Sequence, residues 1–190
     1  MIRSFLAIEF PGTIRKKIED VQRDLKSSNA DVRWVNPNHI HLTLKFFGNI
    51  EESSIESIIQ SIEEPVRTIS PFPLRIRGIG SFPNLKNPRV IWMGLVELVD
   101  EKKILVSLQK ELERELKRIG FQPEDRPFHP HLTLGRMRSS RGKDELVGRM
   151  EKLKEEEFGD FQIEKIILFK SDLKPTGPIY TPLREVKLGG

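Results

Sequence analysis

All four histidines of this chain fall in two near-copies of one six-residue phrase. His39-Ile40-His41-Leu42-Thr43-Leu44 recurs as His129-Pro130-His131-Leu132-Thr133-Leu134, with His131 lying 90 positions after His41. Each phrase alternates apolar with polar residues, the period of a half-buried strand. On such a strand His41 and Thr43 share one face, and Lys45 continues that face. Leu42, Leu44 and Phe46 take the other. His131 and Thr133 stand likewise against Leu132 and Leu134. Each half of the chain thus offers a His/Thr pair on a strand anchored by leucines.

The length, 190 residues, suits one compact domain built of two similar lobes, each contributing one His-x-Thr phrase. Hydrophobic residues make up 37% and charged residues 32%, a globular balance rather than a disordered one. With no cysteine, a disulfide, a thiolate metal site and a cysteine nucleophile are all excluded. A net charge of +4 leans mildly toward anionic partners such as nucleic acid. Much of the charge, as in residues 111–118, reads as a solvated helix face. Residues 2–10 are apolar but short and broken by Arg3 and Glu9, so neither a signal peptide nor a membrane span is expected. The cytoplasm is the expected location. No phosphate-binding glycine loop of the Walker type is present.

Strands are expected at 2–10, 32–35, 40–47, 73–79, 89–96, 131–137, 161–170 and 179–188. Helical spacing begins at Thr13, a candidate N-cap, and runs through Ile14, Ile18, Val21 and Leu25. A second helix starts at Ser53 or Ser54, carries Ile55, Ile58, Ile59 and Ile62, and is expected to end at Pro65. The longest amphipathic stretch opens at Asp100 and closes at Gly120, and a fourth helix covers 144–154. The segment 171–178 reads as a linker. The expected class is α+β and bilobal, two antiparallel sheets related by an approximate two-fold, with helices outside and the His/Thr faces meeting in a central cleft.

The doubled phrase admits three chemistries. As structure alone, the histidines are satisfied polar residues on half-buried strands. As a metal centre, the pairs His39/His41 and His129/His131 converge as four imidazole ligands of a phosphoesterase, an arrangement that leaves both threonines without a role. As metal-free acid–base machinery acting on a phosphodiester, one imidazole removes a proton from the attacking oxygen and the other gives one to the leaving oxygen. The threonine hydroxyls then donate to non-bridging oxygens, where charge builds up. Only this last arrangement gives both threonines a role.

His41-Leu42-Thr43-Leu44-Lys45-Phe46-Phe47-Gly48 and His131-Leu132-Thr133-Leu134-Gly135-Arg136 resemble the signature pair of the 2H phosphoesterases, specifically the RNA 2′,3′-cyclic phosphodiesterases, or 2′-5′ RNA ligases. The likeness extends to Arg3–Ile8, Arg33-Trp34-Val35, Pro88–Trp92 and Ser171–Tyr180. It implies hydrolysis of RNA 2′,3′-cyclic phosphate ends to 2′-phosphomonoesters without a cofactor. Some members also form 2′-5′ RNA linkages, a 5′-hydroxyl replacing water. It further implies that His41 is the proton donor and His131 the proton acceptor, with Thr43 and Thr133 as phosphate holders. The partners implied are RNA with a cyclic phosphate end, tRNA fragments among them, and small cyclic nucleotides. The protein is expected to act as a monomer. A non-catalytic RNA-end-binding protein is the competing class.

Around this centre, Arg136 and Lys45 are candidate substrate contacts. Arg136 could grip phosphate with its planar fork, yet strict alternation sends it away from His131, so a bulge or strand end is needed. Trp34, Phe47, Trp92 and Tyr180 are candidates for stacking on a base or, more simply, for packing. His39 and His129 also fall on the cleft face by alternation.

Overall fold

The computed structural model describes residues 1–98, 103–175 and 177–189. Among the described residues, nine strands and four α-helices follow one another as β1 (Ile2–Ile8), α1 (Gly12–Lys26), β2 (Val32–Trp34), β3 (Leu42–Ile50), α2 (Ser54–Arg67), β4 (Phe72–Phe82) and β5 (Val90–Glu97). The rest are α3 (Ile104–Arg118), β6 (His131–Met137), α4 (Lys143–Lys152), β7 (Glu157–Ile163), β8 (Lys165–Lys174) and β9 (Gly177–Lys187). A short 3-10 turn, Pro37–His39, leads into β3.

The strands form two antiparallel sheets, β3-β1-β8-β9 and β2-β6-β5-β4-β7. The α+β, two-sheet class expected from the sequence is therefore the one observed. Its lobes are not sequence halves, however. Helix α1 follows a strand of the first sheet yet packs on α4 and β7 of the second, and β2 pairs with β6. Conversely, α3 follows β5 of the second sheet but packs on α2 and β3 of the first. One buried cluster accordingly joins Leu42 and Leu44 with Leu132 and Leu134.

Local differences from expectation have identifiable causes. Helix α1 starts at Gly12 behind Pro11, whose fixed φ suits a helix entry, and Thr13 makes no cap. Helix α2 runs past Pro65 to Arg67 although the proline forfeits one intrahelical hydrogen bond, and the full burial of Val66 favours the continuation. Asp100 lies outside the described residues. It is the Glu97 carboxylate that accepts the Ile104 and Leu105 amides at 2.6 and 2.9 Å, satisfying the first donors of α3. The single strand expected at 161–170 is two, β7 and β8, and the chain changes sheets at Glu164 with no glycine or proline to mark it. Of the supposed linker, 171–174 and 177–178 are paired strand residues at the end of β8 and the start of β9.

Gly80 of β4 is fixed by packing. A Cβ there would sit 2.4 Å from the Trp92 ring. Trp92 thus lies flat across β4, against Phe82. Gly80→Ala is expected to cost about 1–3 kcal/mol by overpacking, measured as a lowered midpoint in thermal unfolding; an unchanged midpoint would contradict this packing.

Candidate active site

Both motif strands bury their leucines, all of them 3% exposed or less, so the intervening histidines and threonines face away from the core. His41, Thr43, His131 and Thr133 border the same cavity of about 590 Å³, which runs between the sheets. The sequence repeat is thereby converted into two facing His/Thr pairs.

The imidazoles are held alike. His41 Nδ1 lies 2.8 Å from the His39 carbonyl, and His131 Nδ1 lies 2.6 Å from the His129 carbonyl. A carbonyl only accepts, so Nδ1 must carry the proton in both rings. That leaves Nε2, across the ring, free to exchange a proton. The first histidine of each phrase therefore contributes its backbone to the second. Its own ring is peripheral at His39, which meets Tyr180 edge-on at 5.3 Å, while His129 borders the main cavity.

Aromatic packing orients the rings further. His41 stacks on Phe5 at 4.6 Å, with Tyr180 edge-on at 5.2 Å, and Phe82 meets His131 edge-on at 5.0 Å. Burial is the main reason the His41 pKa falls to about 4. The His39 carbonyl opposes that fall, and the neighbouring His39 charge adds to it. His131 is also lowered, again chiefly by burial, with His129 and Arg136 contributing. Two neutral imidazoles at neutral pH are the result.

A β-bulge follows each threonine. Thr43 and Lys45 pair with consecutive residues Ala7 and Leu6, so Leu44 is the extra residue; Thr133 and Gly135 pair with Trp92 and Ile91, so Leu134 is. The bulge reverses the alternation beyond it. Arg136 rejoins the His131/Thr133 face and borders the cavity, as its candidacy required. The same rule turns Lys45, which also lines the cavity, toward the core. It shares the face of its partner Leu6, only 4% exposed, with its ammonium 2.9 Å from Glu113 and 2.5 Å from the Gln122 carbonyl. Phe46, expected among the core leucines, is instead 41% exposed and forms part of the cavity wall beneath the Arg3 guanidinium.

The aromatic side chains bordering the main cavity are Phe46, Phe82 and Phe128. The four proposed stacking residues lie elsewhere: Phe47 packs on Phe121, Trp92 on Phe82, Trp34 beneath Lys26, and Tyr180 beside a smaller cavity of about 300 Å³. Arg126, on the loop before β6, is a further cationic wall residue without a sequence signal of its own. Among the described residues no group of three or more His, Cys, Asp or Glu side chains is placed to hold a metal ion. Among them, too, no helix is long and apolar enough to cross a membrane.

Two antiparallel sheets presenting paired His-x-Thr segments to a shared cleft define a 2H-type phosphoesterase architecture. A profile of the 2′-5′ RNA ligase superfamily matches residues 10–175, and the chain belongs to that family. It is 36% identical over 187 residues to an RNA 2′,3′-cyclic phosphodiesterase of Methanothermobacter thermautotrophicus, covering 98% of this chain and 99% of the relative. A protein of that name from Aquifex aeolicus is 34% identical, covering 100% and 99%. Among solved structures, a Thermus thermophilus protein superimposes with TM-score 0.81 at 28% identity, covering 100% of this chain and 99% of the other. Escherichia coli LigT, solved with 3′-AMP, shares the fold, with TM-score 0.75, 24% identity and 98% coverage of each chain.

The lowered His41 pKa carries a stability consequence. The unfolded chain binds a proton at this ring below about pH 6.5, the folded chain only below about 4. Stability is therefore full above 6.5 and declines as pH falls toward 4, by up to about 3 kcal/mol from this residue. In denaturant titrations from pH 7 to 4, His41→Asn should lose less stability than the wild type; equal losses would count against a buried neutral ring.

Proposed function

We propose that the protein hydrolyses RNA 2′,3′-cyclic phosphate ends to 2′-phosphomonoesters by acid–base catalysis between His41 and His131. It is a phosphodiester hydrolase, as its similarity to the RNA 2′,3′-cyclic phosphodiesterases indicates. The observation that carries the mechanism is the matched pair of Nδ1–carbonyl hydrogen bonds, which leaves a free Nε2 on each side of one cavity. His131 Nε2 takes a proton from water, whose oxygen bonds to phosphorus. The bond from phosphorus to the 3′ oxygen breaks, and protonated His41 supplies that oxygen with its proton. Thr43, Thr133 and Arg136 hold the non-bridging oxygens, and Phe46, Phe82 and Phe128 offer apolar walls for the terminal nucleoside. A 5′-hydroxyl in place of water gives a 2′-5′ linkage. No cofactor enters this scheme. Both phrases come from one chain, so a monomer suffices, and the substrates are RNA fragments, tRNA halves included, or small cyclic nucleotides met in the cytoplasm.

The deeper burial of His41 favours the reversed roles in a singly protonated free enzyme. An anionic phosphate between the rings raises both pKa values, and His41 is the donor where it lies close enough to the phosphate for its rise to exceed that of His131. Product analysis separates the alternatives: a 2′-phosphate fits donor His41, whereas a 3′-phosphate from the same pose fits donor His131.

His41→Ala and His131→Ala should each lower kcat on a 2′,3′-cyclic nucleotide by roughly 10²–10⁴-fold, with wild-type turnover persisting in excess EDTA. Losses below tenfold would remove the histidines from the chemistry, and turnover abolished by EDTA and restored by zinc would indicate a metal route. Because the free rings titrate near 4 and below 6.5, the kcat/KM profile should be a bell peaking between those values. The kcat profile, read with phosphate bound, should be displaced to higher pH.

A further inference from the structure

The two helices that cross between lobes carry a second internal repeat. Ile18-x-x-Val21-Gln22-x-x-Leu25 in α1 matches Leu105-x-x-Leu108-Gln109-x-x-Leu112 in α3, position for position. In both, the flanking apolar residues are buried, and the glutamine is buried with them, 0% exposed at Gln22 and 5% at Gln109. An amide in an apolar helix face is costly unless it makes hydrogen bonds. Each side chain has found the same kind of partner.

Gln22 Nε2 donates to the carbonyl of Leu134 at 3.0 Å and to that of Val35 at 2.8 Å. Gln109 Nε2 donates to the carbonyl of Leu44 at 3.4 Å and to the Glu113 carboxylate at 3.2 Å. Leu44 and Leu134 are the extra residues of the two bulges. Each lies one residue beyond the threonine of its phrase. A bulged residue is displaced from the regular ladder, so its backbone groups turn to partners beyond it; the Leu134 carbonyl accepts the Val35 N–H at 2.9 Å as well as the Gln22 amide. Helix α1 supplies one to β6, and helix α3 supplies one to β3, by the same pseudo-symmetric device.

We propose that Gln22 and Gln109 are positioning residues, each clamping the bulge that follows one His-x-Thr pair and so fixing that pair's attitude to the substrate phosphorus. The consequence for chemistry rests on the function proposed above. A regular strand in place of the bulge would exchange the faces of Lys45 and Phe46 on one side, and of Gly135 and Arg136 on the other. The histidine and threonine, three residues and one residue upstream, would lose the fixed end against which they are set. Gln22 is the cleaner probe, because Gln109 itself borders the cavity.

The experiment substitutes Gln22→Met and Gln109→Met, which keep length and apolar fit but cannot donate, and follows all four histidine ring protons by NMR against pH without substrate. Gln22→Met is expected to shift the His131 titration while leaving His41 within error, and Gln109→Met to do the reverse. With a 2′,3′-cyclic nucleotide, kcat should fall about tenfold or more for Gln22→Met, KM changing less than threefold. Equal disturbance of both histidines, or wild-type kcat with unmoved titrations, overturns the proposal. A lobe-specific shift at unchanged kcat overturns the positioning role. If Gln22→Met does not fold, Gln22→Leu and the α3 substitution give the same readings. The titrations need no turnover, so they test the clamp even where His41→Ala and His131→Ala refute the proposed chemistry.

Discussion

Burial of four leucines organises this molecule. Leu42 and Leu44 on β3, and Leu132 and Leu134 on β6, enter one shared core and force the histidines and threonines between them onto the opposite face. Each fully buried leucine is worth about 1.5–3 kcal/mol of transfer free energy. A register slip by one residue would place leucines in the cleft and imidazoles in the core. The functional face is thus specified by the cost of exposing its reverse.

The crossing of helices extends this constraint to the whole fold. Because α1 covers the sheet that β1 does not belong to, and α3 the sheet that β5 does not, neither lobe is completed by its own segment of chain. The interface carrying the cavity is therefore part of the folding unit rather than a joint between independent pieces. That suits chemistry requiring two groups held on opposite sides of one atom. The first sheet also carries a small apolar cluster of its own, Phe5, Ala7, Ile167 and Phe169 under Tyr180, and His41 stacks on its Phe5.

That cluster has an electrostatic effect. Stacked on Phe5 and walled by Tyr180, His41 is disfavoured as a cation, and the more open His131 less so. The two phrases are nearly identical in sequence, yet their surroundings separate the rings' proton affinities. An anion entering the cavity would act on both, which ties protonation of the pair to occupancy by phosphate. Arg136 and Arg126 on the wall give the same sign of attraction.

The doubled His-x-Thr phrase, the alternation around it, the α+β class and the family were legible in the chain, because they rest on local periodicity and on a motif repeated at matching places. Arg136 could be nominated, but its orientation hinged on a bulge. Lys45 and Phe46 were assigned to each other's faces, since alternation assumes regular pairing and the bulge at Leu44 is stabilised by Gln109, 65 residues away. The split of 157–174 into strands of different sheets was hidden for a similar reason: the switch at Glu164 is dictated by partners β4 and β1, not by a turn residue. Sequence alone nominated the side chains that gather at the cavity. Tertiary structure decided which way they point and how readily each holds a proton, because bulges and desolvation arise from neighbours distant along the chain.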